Sequence, residues 1–212
     1  MAVYDLEEQE QIDALKSWWR QNQRLVIAGV SAVAIGFAGF QGWQYYRTQR
    51  VAAAAQLYAA LKQAVDAKDA GKIKESTGAL FERYATTLYA PLGALLAAKA
   101  SFEAGDKASA KVQLQWVIEH AREEEMQDTA RLRLGAVLLD EKNYAEALKL
   151  ADAKHADSFD ALYSDLKGDI LTAQGQRAEA RAAYQAALDK SDTRSPYRSL
   201  IQLKLDALGD AK

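Results

Sequence analysis

The sequence predicts an all-α protein in which one membrane-spanning helix precedes a stack of helical hairpins closed by a capping helix. Three observations predict it. Residues 25–46 carry no charge, small residues recur behind them at intervals near 34, and only two prolines interrupt 212 residues rich in alanine, leucine, lysine, glutamine and glutamate. Such side chains lose little rotamer freedom in a helix, so almost no sheet is expected. The net charge of -2, with no basic block, gives nothing to track nucleic-acid phosphates. The absence of cysteine excludes disulfides and thiolate metal sites.

The uncharged run, LVIAGVSAVAIGFAGFQGWQYY, reaches about 33 Å as a helix, enough for a hydrocarbon core of about 30 Å. Trp18, Trp19, Arg20 and Arg24 precede it, and Trp43, Tyr45, Tyr46, Arg47 and Arg50 mark its exit. Amphipathic rings and cations settle at headgroup level. A cleaved leader fits poorly, because the chain opens acidic (Asp5, Glu7, Glu8, Glu10, Asp13) and Phe40, Trp43, Tyr45 and Tyr46 crowd the place of a small-residue cleavage site. The anchor is expected to be retained. Lys16, Arg20 and Arg24 outnumber Arg47 and Arg50, which predicts an inside N-terminus.

The expected parts are therefore a tail over 1–24, a span over 25–46 and a repeat domain over 47–212. In the tail, Ile12, Leu15 and Trp19 share one face of a short amphipathic lead-in helix, suited to a membrane surface or a partner, and simple helical continuation into the span is the alternative. In the span, Ala28, Ala32 and Gly36 recur every four residues, with Gly39 alongside, as a candidate packing face for another helix. Contact of that face with lipid is the alternative.

The repeats resemble the tetratricopeptide pattern, whose small residues let paired helices cross closely while large apolar positions fill between them. The best copy has Arg131, Leu134, Gly135 and Leu138, then Asn143, Tyr144, Ala147 and Leu148, with Arg131 where the pattern prefers tryptophan. The next has Gly168 and Leu171, then Gly175, Ala180, Tyr184, Ala187 and Leu188. An earlier copy has Ala98, Gly105, Asp106, Ala110, Leu114 and Val117, and a more degenerate one has Gly71, Ser76 and Leu80. The small residues Ser76, Ala110, Ala147 and Ala180 are spaced by 34, 37 and 33. Pro91 suits a first helical turn, and Ser195-Pro196 reads as N-cap and first residue of a last helix through about Leu208. In that cap Leu200, Leu203 and Leu208 are expected to cover the stack, with Arg198, Gln202 and Asp206 in water.

No constellation for catalysis, cofactor or metal is apparent. His120 and His155 stand in separate repeats without a carboxylate or second histidine at ligand spacing, and both are expected at the surface. Glu123, Glu124 and Glu125 read as a solvated helix end. A repeat stack instead offers a concave surface for segments of other proteins. The frame places Leu95, Lys99 and Phe102, then Leu132, Ala136 and Leu139, then Asp165 and Asp169 on that surface, as an apolar groove with an acidic end. Packing of the apolar members beneath the last helix or a neighbouring repeat is the alternative.

The order of parts, with Tyr4, the acidic stretch, Ile12, Leu15, Trp18-Trp19, Gly42-Trp43 and Tyr45-Tyr46, resembles the YfgM-type ancillary subunits of the bacterial SecYEG translocon over essentially the whole chain. The resemblance implies an inner-membrane protein with a cytoplasmic N-terminus and a periplasmic domain. It further implies SecYEG and the membrane-anchored chaperone PpiD as partners, and a non-enzymatic scaffold role in handling translocated proteins. A structural adaptor of another cell-envelope complex, in cell wall or division, is the alternative.

Overall fold

A computed structural model of the chain describes residues 3–209, with side chains from Glu8 onward. Tyr4, Asp5 and Glu7 lie outside the residues whose side chains are described. The first helix, α1, runs Val3–Asp66, and the chain divides into two compact units, Met1–Arg50 and Val51–Lys212.

In the first unit Leu25, Ile27, Val30, Val33, Ile35, Phe37 and Phe40 are all exposed. Successive helical residues advance by 3.6 per turn, so these positions surround the axis rather than forming a stripe. α1 is long and apolar enough here to cross a membrane. At the exit the Arg47 guanidinium lies 5.7 Å from the centre of the Trp43 ring, and that of Arg50 lies 5.8 Å from Tyr46. These cation–π contacts fix the charged and aromatic borders to one another.

The second unit is built from hairpins. The end of α1 pairs with α2 (Ala70–Tyr84), α3 (Tyr89–Glu103) with α4 (Lys107–His120), α5 (Glu124–Asp140) with α6 (Tyr144–Ala151), and α7 (Asp160–Ala173) with α8 (Arg177–Lys190). α9 (Pro196–Ala207) follows as the cap, its Ser195 side chain accepting from the Tyr197 amide.

One turn recurs in all four hairpins. Lys68, Gly105, Lys142 and Gly175 have φ of 54°, 81°, 61° and 76°, at intervals of 37, 37 and 33 residues. Around each, two amides turn back onto the preceding helix in a Schellman motif: Gly105 N donates to Phe102 O at 2.9 Å and Asp106 N to Ser101 O at 2.9 Å. The residue after the left-handed one is the N-cap of the next helix. Asp69 and Asp106 cap it directly, accepting from Lys72 N and Ser109 N.

Counted from these turns, Ala98, Gly135 and Gly168 each stand seven residues before, and Ala110, Ala147 and Ala180 five residues after. A Cβ on Gly135 would meet Leu166 Cδ2 at 2.7 Å, and one on Gly168 would strike the Tyr184 ring. The first hairpin corrects the predicted frame. Leu61 and Ile73 occupy its two equivalent positions, and Ser76, predicted there, is buried but lies about one helical turn out of register. Gly71 lies within α2, not at the turn.

The cap is also corrected. Ile201 and Leu205 bury against Tyr184, Ala187 and Leu188, with Leu208 partly buried beside them, whereas Leu200 and Leu203 are exposed, Leu203 at 65 %. Arg198, expected in water, donates to the carbonyls of Leu188 and Ser191. The Leu188 carbonyl, near the end of α8, also accepts from Ser191 N.

α6 has 8 residues, against 14 in α4 and α8. The chain leaves it at Asp152 and is drawn back to α5, where buried Asp128 accepts from Ala156 N at 3.0 Å, Arg131 Nη1 at 2.6 Å and the Tyr163 hydroxyl at 3.1 Å. Arg131, standing where the repeat pattern prefers tryptophan, thus has a hydrogen-bonding task. Burial pushes the Tyr163 phenol well above its ordinary value, and the Asp128 charge adds to this. His155, expected at the surface, is half-buried: it stacks on Tyr163 at 3.9 Å and bonds to Asp160 at 3.0 Å and Ala153 O at 2.7 Å.

Candidate protein-binding surfaces

The A-helix residues singled out from sequence separate into three environments. Lys99, Phe102 and Ala136 are exposed, Phe102 at 40 %, and Lys99 pairs with Glu103 across one helical turn at 3.7 Å. Leu132 and Leu139 are half-buried against Ala147, Ala151, Leu166 and Ile170. Leu95, 9 % exposed, belongs to the core formed by α3, α4 and α5, and its carbonyl accepts from Arg133.

The acidic end is closed by the cap. Lys204 of α9 donates to Asp165 at 2.8 Å and to Asp169 at 2.7 Å, and the Tyr184 hydroxyl completes the cluster on Asp169 at 2.7 Å. Asp165 is 5 % exposed. Burial raises its pKa against the opposing Lys204 hydrogen bond. Burial also works against the Lys204 ammonium, but its bonds to Asp165 and Asp169 prevail and hold it above its ordinary value. The two aspartates therefore tie the last helix to α7 rather than face a ligand.

On the opposite side of these helices lies a trough that the sequence reading missed. α4 contributes Lys111, Val112, Gln115, Trp116 and Glu119, α5 supplies Leu134 and Leu138 as floor, and α6 contributes Glu146, Lys149 and Leu150. Its volume is about 560 Å³. One sequence signal was available: Trp116 is the only tryptophan after the span. The brevity of α6, which opens the trough, had none, because it depends on Asp128 reaching Ala156 across 28 positions.

In the first unit Ala28, Ala32 and Gly36 are exposed and share one face by their four-residue spacing. A Cβ on Gly36 would meet nothing within 4 Å. Ile12, Leu15 and Trp19 of the lead-in helix are exposed too.

The hairpins, their repeated turns and the glycine crossings define a tetratricopeptide-like repeat protein, a class that binds other proteins and is not enzymatic. The family model described as a tetratricopeptide repeat-like domain matches residues 16–210. A relative from Neisseria gonorrhoeae is 32 % identical, covering 96 % of this chain and 98 % of its own. Relatives from Escherichia coli and Haemophilus influenzae are each 28 % identical, covering 98 % and 87 % of this chain and 99 % and 90 % of their own. All three are named ancillary SecYEG translocon subunits. The chain belongs to the family of ancillary SecYEG translocon subunits. No solved structure gives a significant match.

Proposed function

We propose that this protein is a membrane-anchored scaffold of the SecYEG translocon that assists the handling of translocated proteins beside a membrane-anchored chaperone of the PpiD type. The observation that carries the reading is the end-to-end match to relatives named for the translocon, span and repeats alike. In this reading residues 1–24 lie in the cytoplasm, 25–46 cross the inner membrane and 47–212 stand in the periplasm. The bias of cations toward the N-terminal border supports that orientation.

Two kinds of contact are available to such a scaffold. The Ala28, Ala32, Gly36 face suits close approach of a helix within the bilayer. Lys99, Phe102 and Ala136 are the accessible part of the A-helix surface. The test is photo-crosslinking in cells from Ala32 and, separately, from Phe102. Crosslinks from Ala32 to a translocon subunit and from Phe102 to the chaperone are expected; products with cell-wall or division proteins in their place would replace the translocon reading. Protease added to spheroplasts should degrade residues beyond Arg47, and protection of the domain would reverse the orientation.

A further inference from the structure

We propose that the trough between α4 and α6 receives an uncharged segment of another polypeptide bearing an aromatic side chain. The molecule itself shows how such a gap is filled one repeat earlier. Between α2 and α4, Phe81 lies flat on Trp116, ring centres 4.0 Å apart and planes 8° from parallel. Counted from the left-handed turns, Trp116 is the eleventh residue after Gly105, and the eleventh after Lys142 is Ala153, two residues beyond the end of α6. The next gap therefore lacks both the ring and the helical turn that would carry it. Val112 is left 68 % exposed on one wall, above the leucines of α5 and facing Leu150.

Electrostatics narrows the chemistry of the occupant. The rim lysines are already engaged within the walls: Lys111 donates to Glu141 at 2.6 Å and Lys149 to Glu146 at 2.7 Å. Gln115 donates to Glu119 at 2.8 Å. An anionic side chain entering the trough would lose water, find Lys111 and Lys149 already paired and meet the Glu119 charge, which only the neutral Gln115 amide contacts, whereas an apolar one releases water from carbon on both sides. The fit is to an aromatic side chain such as Phe presented by a flexible segment, as in an unfolded chain. The proposal rests on the domain being one that handles polypeptides, but not on which membrane complex it joins.

The test uses the full chain in lipid nanodiscs with Trp18, Trp19 and Trp43 changed to Phe, so that Trp116 alone reports. The probe is a short neutral peptide of Ser, Gly and Leu with a central Phe, compared with its Phe-to-Ser counterpart. A saturable change in Trp116 emission is expected, with affinity at least tenfold weaker for the Ser peptide and for Val112→Glu. Val112 is exposed, so this variant should keep its helical melt. Phe102→Glu should bind as the parent does. No saturable change, or equal affinity in Val112→Glu, overturns the proposal. Loss of binding in Phe102→Glu alone would move the site to the A-helix face, and self-association abolished by Val112→Glu without peptide binding would make a second copy the occupant. Because no translocon is present, failure here leaves the crosslinking result standing, and the reverse holds as well.

Discussion

The two stretches of α1 share one backbone conformation and differ in what surrounds it. From Leu25 to Phe40 large apolar side chains point outward on every side, while from Val51 to Asp66 only Ala54, Leu61 and Ala64 are buried. Period separates them: apolar all around the axis suits a hydrocarbon solvent, and a single apolar stripe suits one packed neighbour with water elsewhere. A helix-forming composition alone does not distinguish the two. The angular distribution of apolar residues does.

Charge substitutions break the comparison most sharply. Val33→Arg places a cation in mid-span, at about 2.5 to 3.5 kcal/mol on insertion scales, and membrane fractionation should find much of the protein released. Any angular position between Ile27 and Phe37 should behave alike. In the second stretch, Leu61→Arg should unfold the first hairpin, whereas Ala60→Arg, its exposed neighbour, should change a helical melt by no more than about 0.5 kcal/mol. Equal effects at 60 and 61 would refute the single stripe.

Lys204→Met should be nearly as severe for the repeat domain, on the order of 3 kcal/mol, because it leaves Asp165 buried without its cation. The pH dependence follows from the raised pKa of Asp165. A carboxyl that holds its proton more tightly when folded loses stability as pH rises through the interval above its unfolded value, and regains it as pH falls. Losing the lysine widens that interval. The deficit of Lys204→Met relative to the parent should therefore shrink as the pH is lowered toward about 4. Adding Asp165→Asn should recover part of it at neutral pH, measured by denaturant unfolding.

Gly168→Leu tests the crossing of α7 and α8, where the Tyr184 ring is held by its bond to Asp169 and has little room to yield. A loss of about 1 to 3 kcal/mol is expected, and an unchanged melting temperature would show that the ring moves aside. The smallest effect is a gain. Lys142 sits at φ 61°, where glycine is unstrained, so Lys142→Gly should stabilise by about 0.5 to 1 kcal/mol after glycine's greater unfolded-state entropy is offset. A loss would mean that the lysine side chain contributes more than its backbone strain costs.

These cases also explain what could be read from the chain. Gly105, Gly175, Pro91 and the Ser195-Pro196 pair announced turns and helix starts, because each residue type is selected by the backbone it permits. Lys68 makes the same left-handed turn with no such signal, and at Lys142 the signal is only the adjacent Asn143. In α9 apolar residues occupy two faces, so periodicity could not choose between Leu200 with Leu203 and Ile201 with Leu205. The choice is made by Lys204, whose partner Asp165 lies 39 positions away. Of the candidate groove, the frame located the A helices correctly but not which of their residues a later helix would cover.

The recurring three-residue link between paired helices has a kinetic consequence. Each hairpin is closed by hydrogen bonds between residues only a few positions apart, and in the second unit helices pack mainly against their immediate or next-but-one neighbours. Low contact order of this type favours rapid folding that can nucleate in one repeat and spread to the next. A chain delivered from its N-terminal end could thus close each hairpin as it appears, leaving only the Lys204 clasp to wait for the last helix.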